Sequence, residues 1–187
     1  SLGLCALGYL ANASNQDHLL ETIFHTANNL TQRVAAYRIA RQEGSSDLSN
    51  ALSEAFLQSA LTDEVLDLWL STEAVTEKTA TLDRVRDLTE HPRFSWTNPN
   101  RVRAVIGSFA NRNVRAFHTA EGYNFLKECV LRLDSMNPQI AARLVMPLTQ
   151  HERFTSKYSK AMLSALRELA DEDLSRDLRE IIDKSIK

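Results

Sequence analysis

Seven arginines, Arg84, Arg86, Arg93, Arg101, Arg103, Arg112 and Arg115, fall between positions 84 and 115 with few acids among them. The planar guanidinium fork takes a carboxylate or phosphate through two parallel hydrogen bonds, so an anionic ligand is the chemistry such a run offers. The structural account of the same run is a solvated helix surface with scattered ion pairs, each worth little. Arg101 and Arg103 stand inside the stretch Asn98-Pro99-Asn100-Arg101-Val102-Arg103-Ala104-Val105-Ile106-Gly107-Ser108-Phe109-Ala110. Asn98 fits a helix cap, Pro99 the first helical position, and Val102, Val105, Ile106 and Phe109 follow at i, i+3, i+4, i+7. The macrodipole gives a cation no help at this end of a helix, so something other than helix stability is expected to keep the arginines there.

The remaining chemistry-bearing residues form no catalytic pattern. A zinc helix needs two histidines at helical spacing; His151-Glu152 begins such a motif, but the residue four positions on is Thr155. His18, His25, His91 and His118 offer no better pair, no Gly-x-Ser-x-Gly turn exists, and the five glycines are too dispersed to cradle a phosphate. No catalytic residue and no metal ligand is expected in this chain.

With 187 residues and 43% hydrophobic content, the chain can bury a substantial core. A net charge of -2 and a pI of about 6.2 argue against nucleic acid and anionic membrane as partners. Cys5 and Cys129 lie in apolar helical settings and suit buried free thiols in a reducing, cytoplasmic compartment. The apolar opening Ser1 to Leu10 has no basic segment before it, and no run reaches the roughly 18 apolar residues of a membrane span, so neither signal nor anchor is expected. Without an initiator Met, the chain reads as a domain cut from a longer polypeptide.

The elements that must position the arginines are helices. Helical periodicity and scarce Gly and Pro predict helices near 2–12 and 15–27, a third capped by Thr31 and running to about Arg41, and a fourth capped by Asp47 after the turn at Gly44-Ser45-Ser46. Thr62 or Asp63 starts the helix of Trp69, apolar on so much of its circumference that it should be covered on two sides; a polar turn is expected from Ser71 to Thr79. Further helices follow before His91-Pro92, at 99–110, around 120–133, from Asn137-Pro138 with Pro147 disturbing its last turn, around Met162, and after the Ser175 cap. Trp96, in the turn before Asn98, is expected to pack against its neighbours. The sequons Asn12-Ala13-Ser14 and Asn29-Leu30-Thr31 read as helix caps.

Asn98-Pro99 and Asn137-Pro138 are 39 residues apart, close to the ~40-residue period of paired-helix solenoids. The expected fold is all-α: one domain over residues 1–187, a superhelical stack of about ten helices in antiparallel pairs, an α-solenoid of the HEAT/armadillo type. Arg103 lies five residues past the first Asn and Arg143 six past the second, so successive repeats would project an arginine from similar levels of adjacent helices.

The Asn98 to Ala110 block, with Ala116-Phe117-His118, Gly122-Tyr123 and Asn137-Pro138-Gln139-Ile140-Ala141-Ala142-Arg143-Leu144, resembles the C-terminal domain of the bacterial-type aminopeptidase N family, M1 zinc metallopeptidases. Weaker similarity runs upstream through Phe24 to Thr31 and the Trp69 helix, covering essentially the whole chain. The resemblance implies a noncatalytic domain of a hydrolase that removes N-terminal amino acids from peptides. Its partners would be the catalytic domain of the same polypeptide, which holds the zinc, and short peptide substrates whose access this domain restricts by walling the chamber. It also implies that Arg103 and Arg143 point toward that chamber, near the peptide's carboxyl-terminal side, and leaves Arg101 a structural role. The alternatives are an autonomous α-solenoid adaptor for a protein or acidic peptide, and a helical-repeat nucleic-acid binder using the 84–115 arginines, which the acidic balance disfavours.

Overall fold

Short polar side chains start most of the helices, and each does so by accepting a backbone N–H that the first turn would leave unpaired. The computed structural model describes residues 16–187 apart from 77 and 79; the expected helix near 2–12, Cys5 and the Asn12 sequon lie outside the described residues. The helices are α1 (Gln16–Thr26), α2 (Leu30–Glu43), α3 (Ser46–Gln58), α4 (Asp63–Val75), α5 (Leu82–Thr89) and α6 (Pro99–Val102). A π-helical turn (Arg103–Gly107) carries α6 directly into α7 (Ser108–Arg112). Then come α8 (Val114–Phe117), α9 (Ala120–Asp134), α10 (Pro138–Leu144), α11 (Met146–Thr149), a 3-10 turn (His151–Arg153), α12 (Ser156–Ala170) and α13 (Arg176–Ser185). Among the described residues there is no strand, and the fold is the all-α stack of helix pairs that the periodicity predicts.

Thr62, Thr81, Asn98, Asn113, Thr119, Asn137 and Ser175 all cap as local chemistry dictates. Two caps differ from expectation. Asn29, as the reading of its sequon as a cap expects, and not Thr31, starts α2, because its Oδ1 accepts the Gln32 N–H at 2.9 Å. Ser45, not Asp47, starts α3: its hydroxyl takes the Leu48 N–H, which leaves Asp47 in the first turn where its charge complements the dipole. The turn expected from Ser71 is also shorter than predicted. Residues 71–75 continue α4, with Thr72 Oγ1 donating to the Leu68 carbonyl and Thr72, Glu73 and Ala74 buried.

Successive helices pack as neighbours, α1 on α2, α2 on α3, α9 on α10 and α12 on α13, while α10 also meets α13. The Trp69 helix α4 touches α3, α5, α6, the π turn and α7, which is the two-sided covering its composition implies. One core cluster runs from Leu20 to Ile182, each large aliphatic side chain in it contributing roughly 1.5–3 kcal/mol. Cys129 lies in this core, where burial pushes its thiol up to about 12. No helix among the described residues is long and apolar enough to cross a membrane.

Candidate functional site

The Asn98 helix is not continuous α-helix. Asn98 Oδ1 accepts the N–H groups of Asn100 and Arg101, Pro99 supplies the first turn, and then the ladder widens so that the Ser108 N–H reaches the Arg103 carbonyl five residues back. A π turn of this kind inserts one residue into the helical register and is common at functional sites. Val102, Val105, Ile106 and Phe109 are all buried regardless, against α4 and its neighbours. The turn begins at Arg103.

Arg101 and Arg103, two residues apart, have opposite fates. Arg101 is 4% exposed. Its guanidinium donates to Asp63 Oδ1 at 2.6 Å, to Asp67 Oδ1, and to the carbonyls of Asp63 and Arg93. It clamps α6 to the start of α4 with four of its five N–H donors committed. Arg103 is exposed, and its Nη2 donates to Asn100 Oδ1 at 2.9 Å, with no ion pair to an acid among the described residues.

On the neighbouring repeat, Asn137 Oδ1 caps α10 through the Ile140 N–H, and Pro138 fills its first turn. Arg143 projects from α10, exposed and without a hydrogen-bond or ion-pair partner among the described residues. Arg103 and Arg143 line one groove of about 240 Å³ whose walls include Pro99, Val102, Ile140 and Leu144, with Gly107 and Asn111 completing it. Arg143 also borders a second cavity of about 500 Å³, whose lining includes Asp177 and Glu180 of α13. The two positions that the Asn-Pro spacing singles out therefore meet: two cations and an apolar lining, the complement of a carboxylate attached to an apolar group.

Three further arginines of the run are held by protein partners, one of them in a surface ion pair. Arg84 pairs with Glu73, Arg86 with Glu128, and Arg93 donates to the Ala60 carbonyl. Trp96 packs edge-on to Phe94 and beneath the Arg132 guanidinium, 4.1 Å from its ring centroid, rather than forming a stacking platform with Trp69.

Sequence reasoning missed the polar centre of the first half. Glu73 is 0% exposed and receives Tyr37, Ser53, Arg41 and Arg84. The signal was present: Leu66, Trp69, Leu70 and Glu73 follow i, i+3, i+4, i+7, which places the carboxylate on the core stripe of α4. Asn113 is the second such residue; buried, its amide donates to the carbonyls of Ala74 and Ala80 and ties off the α4–α5 connection.

Residues 1–187 match the family described as "Domain of unknown function (DUF3458_C) ARM repeats". The chain belongs to this family. Its ARM repeats are the stacked helix pairs seen here, and its relatives bear out the resemblance to aminopeptidase N. The chain is 36% identical over 186 residues to aminopeptidase N of Haemophilus influenzae, covering 98% of this chain and 21% of that protein. It is 39% identical over 176 residues to aminopeptidase N of Escherichia coli, covering 91% of this chain and 20% of that protein. It thus spans about a fifth of the length of the relatives it matches. Among solved structures it superposes on Legionella pneumophila aminopeptidase A, determined in complex with aspartic acid, with a TM-score of 0.88 and 26% identity over 96% of this chain and 22% of that one. No group of three or more His, Cys, Asp or Glu side chains that could hold a metal ion occurs among the described residues.

Proposed function

We propose that this chain is the C-terminal helical-repeat domain, residues 1–187, of an M1 zinc aminopeptidase in the cytoplasm, and that it walls the active-site chamber without supplying catalytic groups. In this reading the catalytic domain of the same polypeptide holds the zinc, and short peptides are the substrates. The observation that carries the reading is the groove where Arg103 and Arg143, from corresponding helices of successive repeats, stand over an apolar lining with no acid between them. Carboxylate recognition is the work such a pair does, and the far end of a short peptide carries one.

The test is made in the full-length enzyme. Arg103→Gln and Arg143→Gln should each lower kcat/KM on dipeptides about tenfold or more, the scale of one hydrogen bond to a charged group, while amino-acid amides, which lack the carboxylate, lose much less. Equal losses on both substrate types would reject carboxylate recognition. The noncatalytic role has its own check: the purified 187-residue chain should bind no stoichiometric zinc and cleave no aminoacyl reporter, and turnover by a metal-free sample would overturn it.

A further inference from the structure

A cavity of about 380 Å³ opens between α2, α3, α4 and α5, sharing no residue with the Arg103–Arg143 groove. Its back wall is the Glu73 centre, whose carboxylate is already saturated. Glu73 Oε1 accepts the hydroxyls of Tyr37 at 2.5 Å and Ser53 at 3.0 Å, and Oε2 accepts Nη2 of Arg41 at 2.6 Å and of Arg84 at 2.9 Å. Ser53 Oγ in turn accepts the Trp69 indole N–H at 3.0 Å. Arg41 commits Nη1 to Ser49 and Asn50 and is buried at 3% exposure, which leaves its Nε as the one buried donor of this wall without a partner among the described residues. Glu73 has no acceptor site left for a ligand, and Ser53 has no donor left.

The other uncommitted groups lie toward the mouth and are of both signs. Arg84 uses only Nη2, so Nε and Nη1 remain as donors on a side chain that is 36% exposed and rests 5.9 Å from the Trp69 ring centroid. Asn50 offers its amide N–H groups, since its carbonyl oxygen faces Arg41. Glu54 is exposed, its Oε1 accepts from Gln58 at 3.2 Å, and Oε2 remains as an acceptor. The lining as a whole holds two arginines and two glutamates. A bare anion or a bare cation would unbalance that neutral set, whereas a molecule carrying both charges leaves it neutral and satisfies both free ends.

We propose that this cavity binds a small zwitterion of the free α-amino-acid class, with its carboxylate on Arg84 and Asn50 and its ammonium on Glu54. Positions so divided give selectivity, because a ligand lacking either charge forgoes one of the two charge-assisted contacts. Leucine serves as the probe, with leucinamide, which lacks the carboxylate, and 4-methylpentanoate, which lacks the ammonium, as the matched single-charge compounds.

Isothermal titration of the 187-residue chain should show leucine binding and each single-charge compound binding about tenfold or more weaker. Glu54→Gln and Arg84→Gln should each weaken leucine by a similar factor, and the leucine-induced rise in unfolding midpoint should shrink with them. The side-chain hydrogen bond of Glu54 is to Gln58 and none reaches the Glu73 centre, so its variant keeps the test open if Arg84→Gln loosens that centre. No leucine binding to the unsubstituted chain, equal binding of leucine and 4-methylpentanoate, or leucine binding undiminished by Glu54→Gln would each overturn the proposal.

Discussion

Glu73→Ala is expected to destabilise the chain by about 3–5 kcal/mol, because removing one partner of a buried ion pair leaves the other charge uncompensated. Arg41, 3% exposed, would face the hole with its Nε already without a partner. Tyr37, Ser53 and Arg84 would lose their shared acceptor in the same step. Against a typical domain stability of about 5–15 kcal/mol this is a large fraction, and urea denaturation of the two proteins measures it directly. The physics also says how to recover the loss. Replacing Arg41 and Glu73 together with Met removes both buried charges, so the double variant should be more stable than Glu73→Ala alone. A loss under about 1 kcal/mol for Glu73→Ala would mean that the centre is hydrated rather than desolvated.

The same centre sets an alkaline limit. Burial, then the Glu73 carboxylate beside it, pushes the Tyr37 phenol far above its usual value near 10. Above pH ~10 the unfolded chain releases that proton and the folded chain keeps it, so the unfolded state binds fewer protons and stability falls as pH rises. Below that pH the phenol is protonated in both states and the contribution is fully present. Tyr37→Phe should therefore flatten the decline between pH 10 and 11 in a series of urea midpoints, relative to the unsubstituted chain.

What the sequence reveals about this fold is what local chemistry decides. Asn98-Pro99 and Asn137-Pro138 start helices because a capping amide and a proline at the first turn are sufficient within four residues. Their spacing then brings Arg103 and Arg143 to one groove. The π turn at Arg103 was not legible, since an i→i+5 bond is chosen by how Val105, Ile106 and Phe109 pack on α4 and not by any residue preference. Choosing between Ser45 and Asp47 as a cap was beyond propensity too, because both are good caps and the difference is one of backbone entry angle. Glu73 was legible in principle, but an acid on a core stripe gains meaning only once Arg41, 32 positions earlier, is known to face it.

Gly122→Ala should destabilise by about 3 kcal/mol, the upper part of the range for forcing a methyl into a packed interior. No described residue has a positive φ, so the demand for glycine at 122 is one of space and not of backbone conformation. The first turn of α9 lies directly on the end of α8: the Gly122 N–H donates to Thr119 Oγ1 at 2.9 Å, and that hydroxyl donates to the Ala116 carbonyl at 3.1 Å. A Cβ on residue 122 would sit 2.3 Å from the Phe117 carbonyl oxygen and 2.5 Å from that of Ala116. Both obstacles are backbone, so no side chain can swing aside, and α9 must lift from α8. Lifting it separates Tyr123 from Phe117, whose ring centroids are 5.3 Å apart, and from His118, whose Nδ1 lies 2.8 Å from the Tyr123 hydroxyl. Gly107→Ala is the internal contrast. There a Cβ would meet only the Arg103 side chain, Cγ at 3.5 Å and Cβ at 3.8 Å, ordinary contacts, so the helical preference for Ala over Gly should leave that variant equal to or up to about 1 kcal/mol more stable than the parent. Thermal unfolding of the pair separates the two causes: a loss of similar size at both positions would place the cost in the generic presence of a methyl and reject the close approach of α9 to α8.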